Sequence, residues 1–246
     1  MRNFFVDPAN LDESFAVLIG QEARHIDSVL RLGPGDRINL FDGTGMIYEV
    51  VIEEVVNTQI KTRILKTRPV RLDGPRIYLG QGLLKGKKMD FIVRKATELG
   101  VNGLMPFVSS HCTVRRVPET RETRWHRISL ESCKQCGRPY PLKCMPVTDF
   151  NALISASEDY QMKIIFWEKE NRRTLEKVFS GNATIKSVIF LVGPEGGFSK
   201  QEIERAASTG YEVVSLGKRI LRAETASFAA MAILQYITGN LGRAQV

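Results

Sequence analysis

The chain has 246 residues, 43% of them apolar and 25% charged, which is the composition of a soluble globular protein with one large domain or two modest ones. No apolar run reaches the length of a membrane span, and the opening segment MRNFFVDPAN has no h-region, so neither a membrane partner nor a secretory signal is expected. The four cysteines are then expected as free thiols in a reducing cytosol, and the localisation as cytoplasmic.

The net charge is +8, and it is not spread evenly. Residues 1–70 carry 8 basic and 10 acidic groups, residues 71–150 carry 15 and 7, and residues 151–246 carry 12 and 10. The whole excess sits in the middle third. Solubility charge would be more uniform, so the pattern favours a polyanionic partner, RNA in particular.

In chain order, residues 1–66 read as β-rich. Phe15–Ile19, Arg37–Phe41, Met46–Val56 and Gln59–Leu65 are strand-like, and Asp42-Gly43 with Gly45 is a hairpin signal. One short helix is expected over Glu22–Leu30. Short strands with turn punctuation predict a small barrel or sandwich. Thr67–Pro75, with two prolines and a glycine, reads as a linker. From Arg76 onward strands and helices alternate, as in an α/β sheet. Arg76–Gly82 is a strand, Lys87–Leu99 a helix with Phe91, Ile92, Ala96 and Leu99 on its apolar stripe, and Leu104–Val108 the next strand.

Between His111 and Lys143 the basic residues are dense. Arg121, Arg124 and Trp125 share a predicted helix, on which Trp125 and Ile128 are expected to face the core rather than a base. Cys133 and Cys136 form a lone CxxC. His111, Cys112, His126 and Cys144 lie near it in sequence, but a structural zinc needs four converging ligands and no second clean pair is present. No metal is expected. Asp149–Ala156 and Thr174–Phe179 read as short helices, Lys163–Trp167 as a buried strand with Glu168 at its carboxyl end, and Gly181 as a turn.

Residues 188–236 hold two strand–loop–helix units in tandem. Val188–Val192 is a continuous apolar run, as expected of a strand buried on both faces. GPEGG (193–197) breaks it. Ser199 with Glu202 then forms a capping box for a helix that stops at Gly210. Val213–Leu216 is the second strand. The loop Gly217–Glu224 follows, and Thr225 or Ser227 opens a last apolar helix through Tyr236. Both loops fall at carboxyl ends of strands, where open α/β sheets bind ligands. The spacing is neither GxGxxG nor GxxxxGK[ST]. Lys218, Arg219, Arg222 and Glu224 around apolar Ile220 and Leu221 suit a pocket with one apolar wall and a few fixed polar groups. The small residues Ala226 to Ala230 permit close approach of a ligand or of another helix.

The segments LVGPEGGFSKQEIE and SLGKRILRAETA resemble the two signature segments of the RsmE-like family of 16S ribosomal RNA (uracil-N3) methyltransferases, of the SPOUT class. LLKGKKMDFIVRKATELGV, RHIDSVLRLGPGD and ESCKQCGRPYP resemble further segments of that family. The resemblance implies a PUA-like β-barrel RNA-binding domain over residues 1–70. It implies an α/β SPOUT methyltransferase domain with a C-terminal trefoil knot over residues 71–246. S-adenosylmethionine would be the cofactor, a uridine N3 of 16S ribosomal RNA, free or in the small ribosomal subunit, the acceptor, and a homodimer the working state. The cofactor residues would be Gly193, Glu195, Gly196, Gly197, Leu216, Gly217, Ile220, Leu221, Thr225 and Ala226, with Glu195 or Glu168 toward the sulfonium. Arg222 would stabilise the uridine anion. Glu224 would accept the proton or, preferably, orient Arg222. Arg24, His25, Arg31, Lys85, Lys88, Arg115, Arg116 and Arg138 would contact RNA. Two other readings stay open: a non-catalytic RNA-binding protein, and an α/β enzyme using GPEGG as a phosphate loop, which lacks the P-loop lysine.

Overall fold

A computed structural model describes residues 2–56, 59–72, 74–180 and 185–242. Two compact units divide the chain, Met1–Leu72 with Leu130–Pro141, and Asp73–Ser129 with Leu142–Val246. The first unit runs to Leu72, beside the expected boundary at 70/71, and a segment far along the sequence, Leu130–Pro141, belongs to it as well.

In the first unit, β1 (Asn3–Phe5), β2 (Phe15–Ile19), β3 (Arg37–Phe41), β4 (Met46–Val56) and β5 (Gln59–Pro69) form one sheet in the order β1-β3-β4-β5-β2. β1 runs parallel to β3 and the other pairings are antiparallel. Alternate residues point inward, Ile38 and Leu40 from β3, Val50 and Ile52 from β4, so all five strands feed one core. Asp42 anchors the β3–β4 turn by accepting from Thr44 N–H at 2.8 Å and from the Tyr48 hydroxyl at 3.0 Å. Burial, with that carboxylate beside it, pushes the Tyr48 phenol up to about 12. The expected helix over Glu22–Leu30 is two pieces, α1 (Gly20–Arg24) and a π-helical turn over His25–Val29. β5 runs on to Pro69, pairing Thr67 with Tyr48, so the linker is shorter than expected. Pro69 is tolerated there because it ends the strand. Within this unit the Lys134 ammonium lies 2.7 Å from Glu22 Oε1 and 2.6 Å from Glu131 Oε1.

The second unit is built on β6 (Arg76–Gly82), α2 (Lys88–Glu98), β7 (Gly103–Val108), α3 (Glu119–Cys136, its last turns in the first unit), β8 (Lys143–Cys144), β9 (Thr148–Asp149), α4 (Phe150–Ala156), β10 (Met162–Phe166), α5 (Leu175–Phe179), β11 (Ser187–Val192), α6 (Lys200–Ser208), β12 (Glu212–Val214) and α7 (Ala223–Ile237). The strands run parallel in the order β12-β10-β11-β6-β7-β8, with β9 also on β7. Successive residues of β11 supply opposite faces: Val188, Phe190 and Val192 pack with α2 and α7, Ile189 and Leu191 with α4 and α6. That is why the run is apolar throughout. Trp125 is fully buried, as a core residue of α3.

The Ser199–Glu202 capping box opens α6 as the sequence predicts. Gly181 lies outside the described residues. β12 is shorter than expected, and Ser215 is left in an isolated bridge to Thr174. α7 starts two residues before Thr225, with Arg222 as N-cap and no side-chain capping bond. From the edge strand β12 it returns to the middle of the sheet and packs on α2, β6 and β11. All four thiols are free. Among the described residues no group of three His, Cys, Asp or Glu side chains could hold a metal ion, and no helix is long and apolar enough to cross a membrane.

Candidate active site

Because the strands are parallel, the segments leaving β10, β11 and β12 emerge at one end of the sheet. Trp167-Glu168 follows β10, Gly193–Phe198 follows β11 and Ser215–Leu221 follows β12. With Lys88 of α2 and Arg222, Ala223 and Ala226 around the start of α7 they enclose a cavity of about 500 Å³, within the usual range of roughly 300–1,000 Å³ for small-molecule sites. Phe166, Val192, Leu216, Ile220 and Leu221 give it apolar walls, and Glu168, Glu195, Arg219 and Arg222 give it charge.

The first loop is fixed from behind. An alanine Cβ at Gly82 would stand 2.6 Å from Pro194 N, so only glycine lets the loop backbone lie on the end of β6. His111 Nδ1 lies 3.0 Å from Gly196 O. Ser110 donates to Glu202 from both N–H and hydroxyl, at 2.8 and 2.9 Å. Burial raises the Glu202 carboxyl, but the N–H groups of Ser110 and Ser199 outweigh it and hold the acid below its usual range.

The mouth is tied by charge. Lys88 Nζ lies 3.1 Å from Glu195 Oε1 and 3.4 Å from Glu224 Oε2, joining α2, the first loop and α7. The bond to Glu195, with Glu224 beyond it, raises the ammonium above its ordinary value. Glu195 is pushed up by burial, yet its own N–H, the Lys85 N–H at 3.1 Å and Lys88 prevail and lower it.

Gly193, Glu195, Gly196, Gly197, Leu216, Gly217, Ile220, Leu221, Ala226 and Arg222 all line this cavity. Thr225 does not: it sits on the exposed side of the first turn of α7. Glu224 does not line it either, and among the described residues its ion pair is with Lys88 rather than Arg222, which corrects the orienting role expected for it. Lys88, expected on an RNA surface, is part of the cavity instead. Lys85, Arg115 and Arg116 are exposed on the second unit, Arg115 donating to Ser110 O at 3.2 Å. Arg24, His25 and Arg31 are exposed on the first unit. Arg31 is the one non-glycine residue with positive φ among those described, at 53°, a conformation that ends the π-helical turn and often marks functional sites. Arg138 is half-buried, and desolvation lowers its guanidinium pKa, so it is not the open contact expected. Phe166, Trp167, Pro194 and Phe198 were not expected in the site, whereas Arg219 lines it as the charged second loop suggested. The strand-end rule applied to β10 as well as β11 and β12 would have found Trp167.

Comparison with known proteins agrees with this architecture. Residues 72–235 match the RNA methyltransferase domain family and residues 18–65 the RNA methyltransferase PUA domain. Ribosomal RNA small subunit methyltransferase E of Buchnera aphidicola subsp. Schizaphis graminum is 35% identical over 232 residues, 88% of each chain. The protein of that name from Bacillus subtilis is 27% identical over 229 residues, 90% of each chain. The crystal structure of ribosomal RNA small subunit methyltransferase E from Neisseria gonorrhoeae bound to S-adenosyl methionine superposes with a TM-score of 0.86 at 31% identity, covering 98% of this chain and 100% of that one. A small PUA-like β-barrel and an α/β core of SPOUT type, with a walled cavity at the strand ends, place this chain in the ribosomal RNA small subunit methyltransferase E family.

Proposed function

We propose that this protein transfers a methyl group from S-adenosylmethionine to N3 of a uridine in the 16S RNA of the small ribosomal subunit. The observation that carries the reading is the convergence of the two loops on one cavity. The residues suit that cofactor. The apolar walls match an adenosine and its carbon chain, and glycine backbone groups are open to hydrogen bonding. A cationic sulfonium finds carboxylates at Glu168 and Glu195, the former so close to Gly197 that a Cβ there would stand 3.3 Å from its Oε1.

When bound, S-adenosylmethionine supplies an electrophilic methyl group. The chain has to hold the acceptor in line with it and manage one proton, since a uridine N3–H is only weakly acidic. Arg222 stands at the cavity rim, exposed, and makes no ion pair among the described residues. Its charge is available to the uridine anion that forms as N3 loses its proton. The apolar walls keep water from the methyl group. Lys85, Arg115 and Arg116 supply phosphate contacts on the catalytic unit, and Arg24, His25 and Arg31 on the PUA-like unit.

The chain works as a homodimer in this reading. Phe91, Ile233, Tyr236 and Ile237 leave exposed apolar surface on the packed helices α2 and α7. The four free thiols fit a cytoplasmic protein. Calorimetric titration separates the rival readings: S-adenosylmethionine binds and ATP does not. Tighter binding of ATP would favour a phosphate-loop enzyme. No affinity for the methyl donor would favour a non-catalytic RNA-binding protein.

A further inference from the structure

Gln81 stands behind the cavity and not in it. It is the next-to-last residue of β6 and is fully buried. A buried amide is costly unless its donors and acceptor are met. Its Nε2 lies 3.1 Å from Gly82 O, 3.4 Å from Gly193 O and 3.5 Å from Val192 O. Three carbonyl oxygens on one side leave a single sensible orientation, with the NH₂ toward them and Oε1 away. Oε1 then meets the hydroxyl of Ser227 at 2.5 Å. Ser227 is also fully buried, and Ala223 O lies 2.9 Å from the same hydroxyl. One proton cannot serve both acceptors at once. Ala223 O is a helix carbonyl with a backbone partner of its own, so the proton belongs to Gln81.

The amide thus bridges two places that shape the site. Gly193 opens the first cavity loop. Ser227 sits just past Ala223 and Ala226, where the second loop lands on α7. An apolar side chain of the same length would fill the space and make neither bond. The next residue, Gly82, touches the loop backbone without room for a Cβ, so a shift at the end of β6 passes to the loop with little slack.

We propose that Gln81 is a positioning residue for cofactor binding, whose amide sets the spacing of the two loops that close on S-adenosylmethionine. This rests on reading the cavity as the S-adenosylmethionine site. Because Gln81 does not line the cavity, its effect is on affinity for the methyl donor and not on the chemical step.

The test is titration of S-adenosylmethionine into the full chain, as wild type, Gln81→Met, Gln81→Glu and Ser227→Ala, with turnover measured at saturating cofactor. Gln81→Met should bind about tenfold more weakly, the effect of one or two net hydrogen bonds, with kcat within about twofold. Ser227→Ala should weaken binding about threefold by removing one of the bonds. Gln81→Glu gives the distinguishing signature. Its carboxylate faces three carbonyl oxygens and is repelled, whereas its protonated form donates to Gly193 O. Its affinity should therefore rise as pH falls, across a range where wild-type affinity does not. Wild-type affinity in Gln81→Met overturns the proposal. Should that variant not fold, Ser227→Ala binding at wild-type strength together with a Gln81→Glu profile parallel to wild type overturns it equally. Wild type that ignores S-adenosylmethionine would instead sink the cofactor reading itself.

Discussion

Lys88 Nζ lies 3.1 Å from a carboxylate oxygen of Glu195, and the two residues are 107 positions apart in the chain. The same ammonium is 3.4 Å from Glu224, whose Oε2 is buried and has no hydrogen-bond partner among the described residues. Removing the lysine leaves that oxygen without compensation. Lys88→Met should cost about 0.5–1 kcal/mol, a modest figure because exposed ion pairs are screened and the Lys88 side chain is 36% exposed. Glu224→Gln made in the Lys88→Met background should cost less than in wild type. Thermal unfolding of the four proteins in the cycle measures the coupling, and strict additivity would show the pair to be inert.

Arg222→Ala should still bind S-adenosylmethionine but lose turnover by about 10²–10³, the scale set by removal of one preorganised charge at a developing anion. Titration beside a methyl-transfer assay decides it. Near-normal turnover would take Arg222 out of the mechanism.

Glu202 serves α6 and the Ser110 turn together, and its pH dependence follows from its lowered pKa. A depressed folded-state pKa gives stability that is present above the unfolded carboxylate value and lost as pH falls through the folded one. The ordinary value is 4.5. Glu202→Gln should therefore be less stable than wild type by about 1 kcal/mol at pH 7, and the gap should narrow in acid below that value. Denaturant midpoints at pH 7 and in the acid range measure this, and a gap independent of pH would assign the loss to packing alone.

Gly82→Ala tests the contact between β6 and the first loop. Its Cβ would meet the Pro194 backbone, which has no flexible end to move aside. The expected loss is about 1–3 kcal/mol in stability, with weaker S-adenosylmethionine binding. A protein of wild-type stability and affinity would show that the loop has freedom the contact does not suggest.

Much of this was legible in the sequence, and the parts that were not share a cause. Strands such as Phe15–Ile19 and Arg37–Phe41 carry their own periodicity and bounding turns, so local pattern places them. The Ser199–Glu202 box is likewise local. β1 is three residues long and takes its place from a parallel partner 36 positions away, which no local pattern announces. The start of α7 was misplaced because its N-cap is Arg222, which makes no capping bond, while Thr225 and Ser227 are the residue types that usually do. Lys88 belongs to the basic run Lys85-Gly86-Lys87-Lys88, and in sequence it resembles a surface cation. Its partners become neighbours only when β6 and β11 pair. The bond from Ser227 to Gln81 spans 146 positions and was invisible for the same reason. The two cavity loops were legible because each is a strand end with unusual composition. The residues that hold them in place were not.

The most direct measurement is transfer of labelled methyl from S-adenosylmethionine to small ribosomal subunits, or to their naked RNA, taken from cells lacking this protein. The RNA is then digested to nucleosides. Label is expected in 3-methyluridine at a single 16S position, accumulating about 10²–10³-fold more slowly with Arg222→Ala. Label in another nucleoside, or none in either substrate, would contradict that expectation.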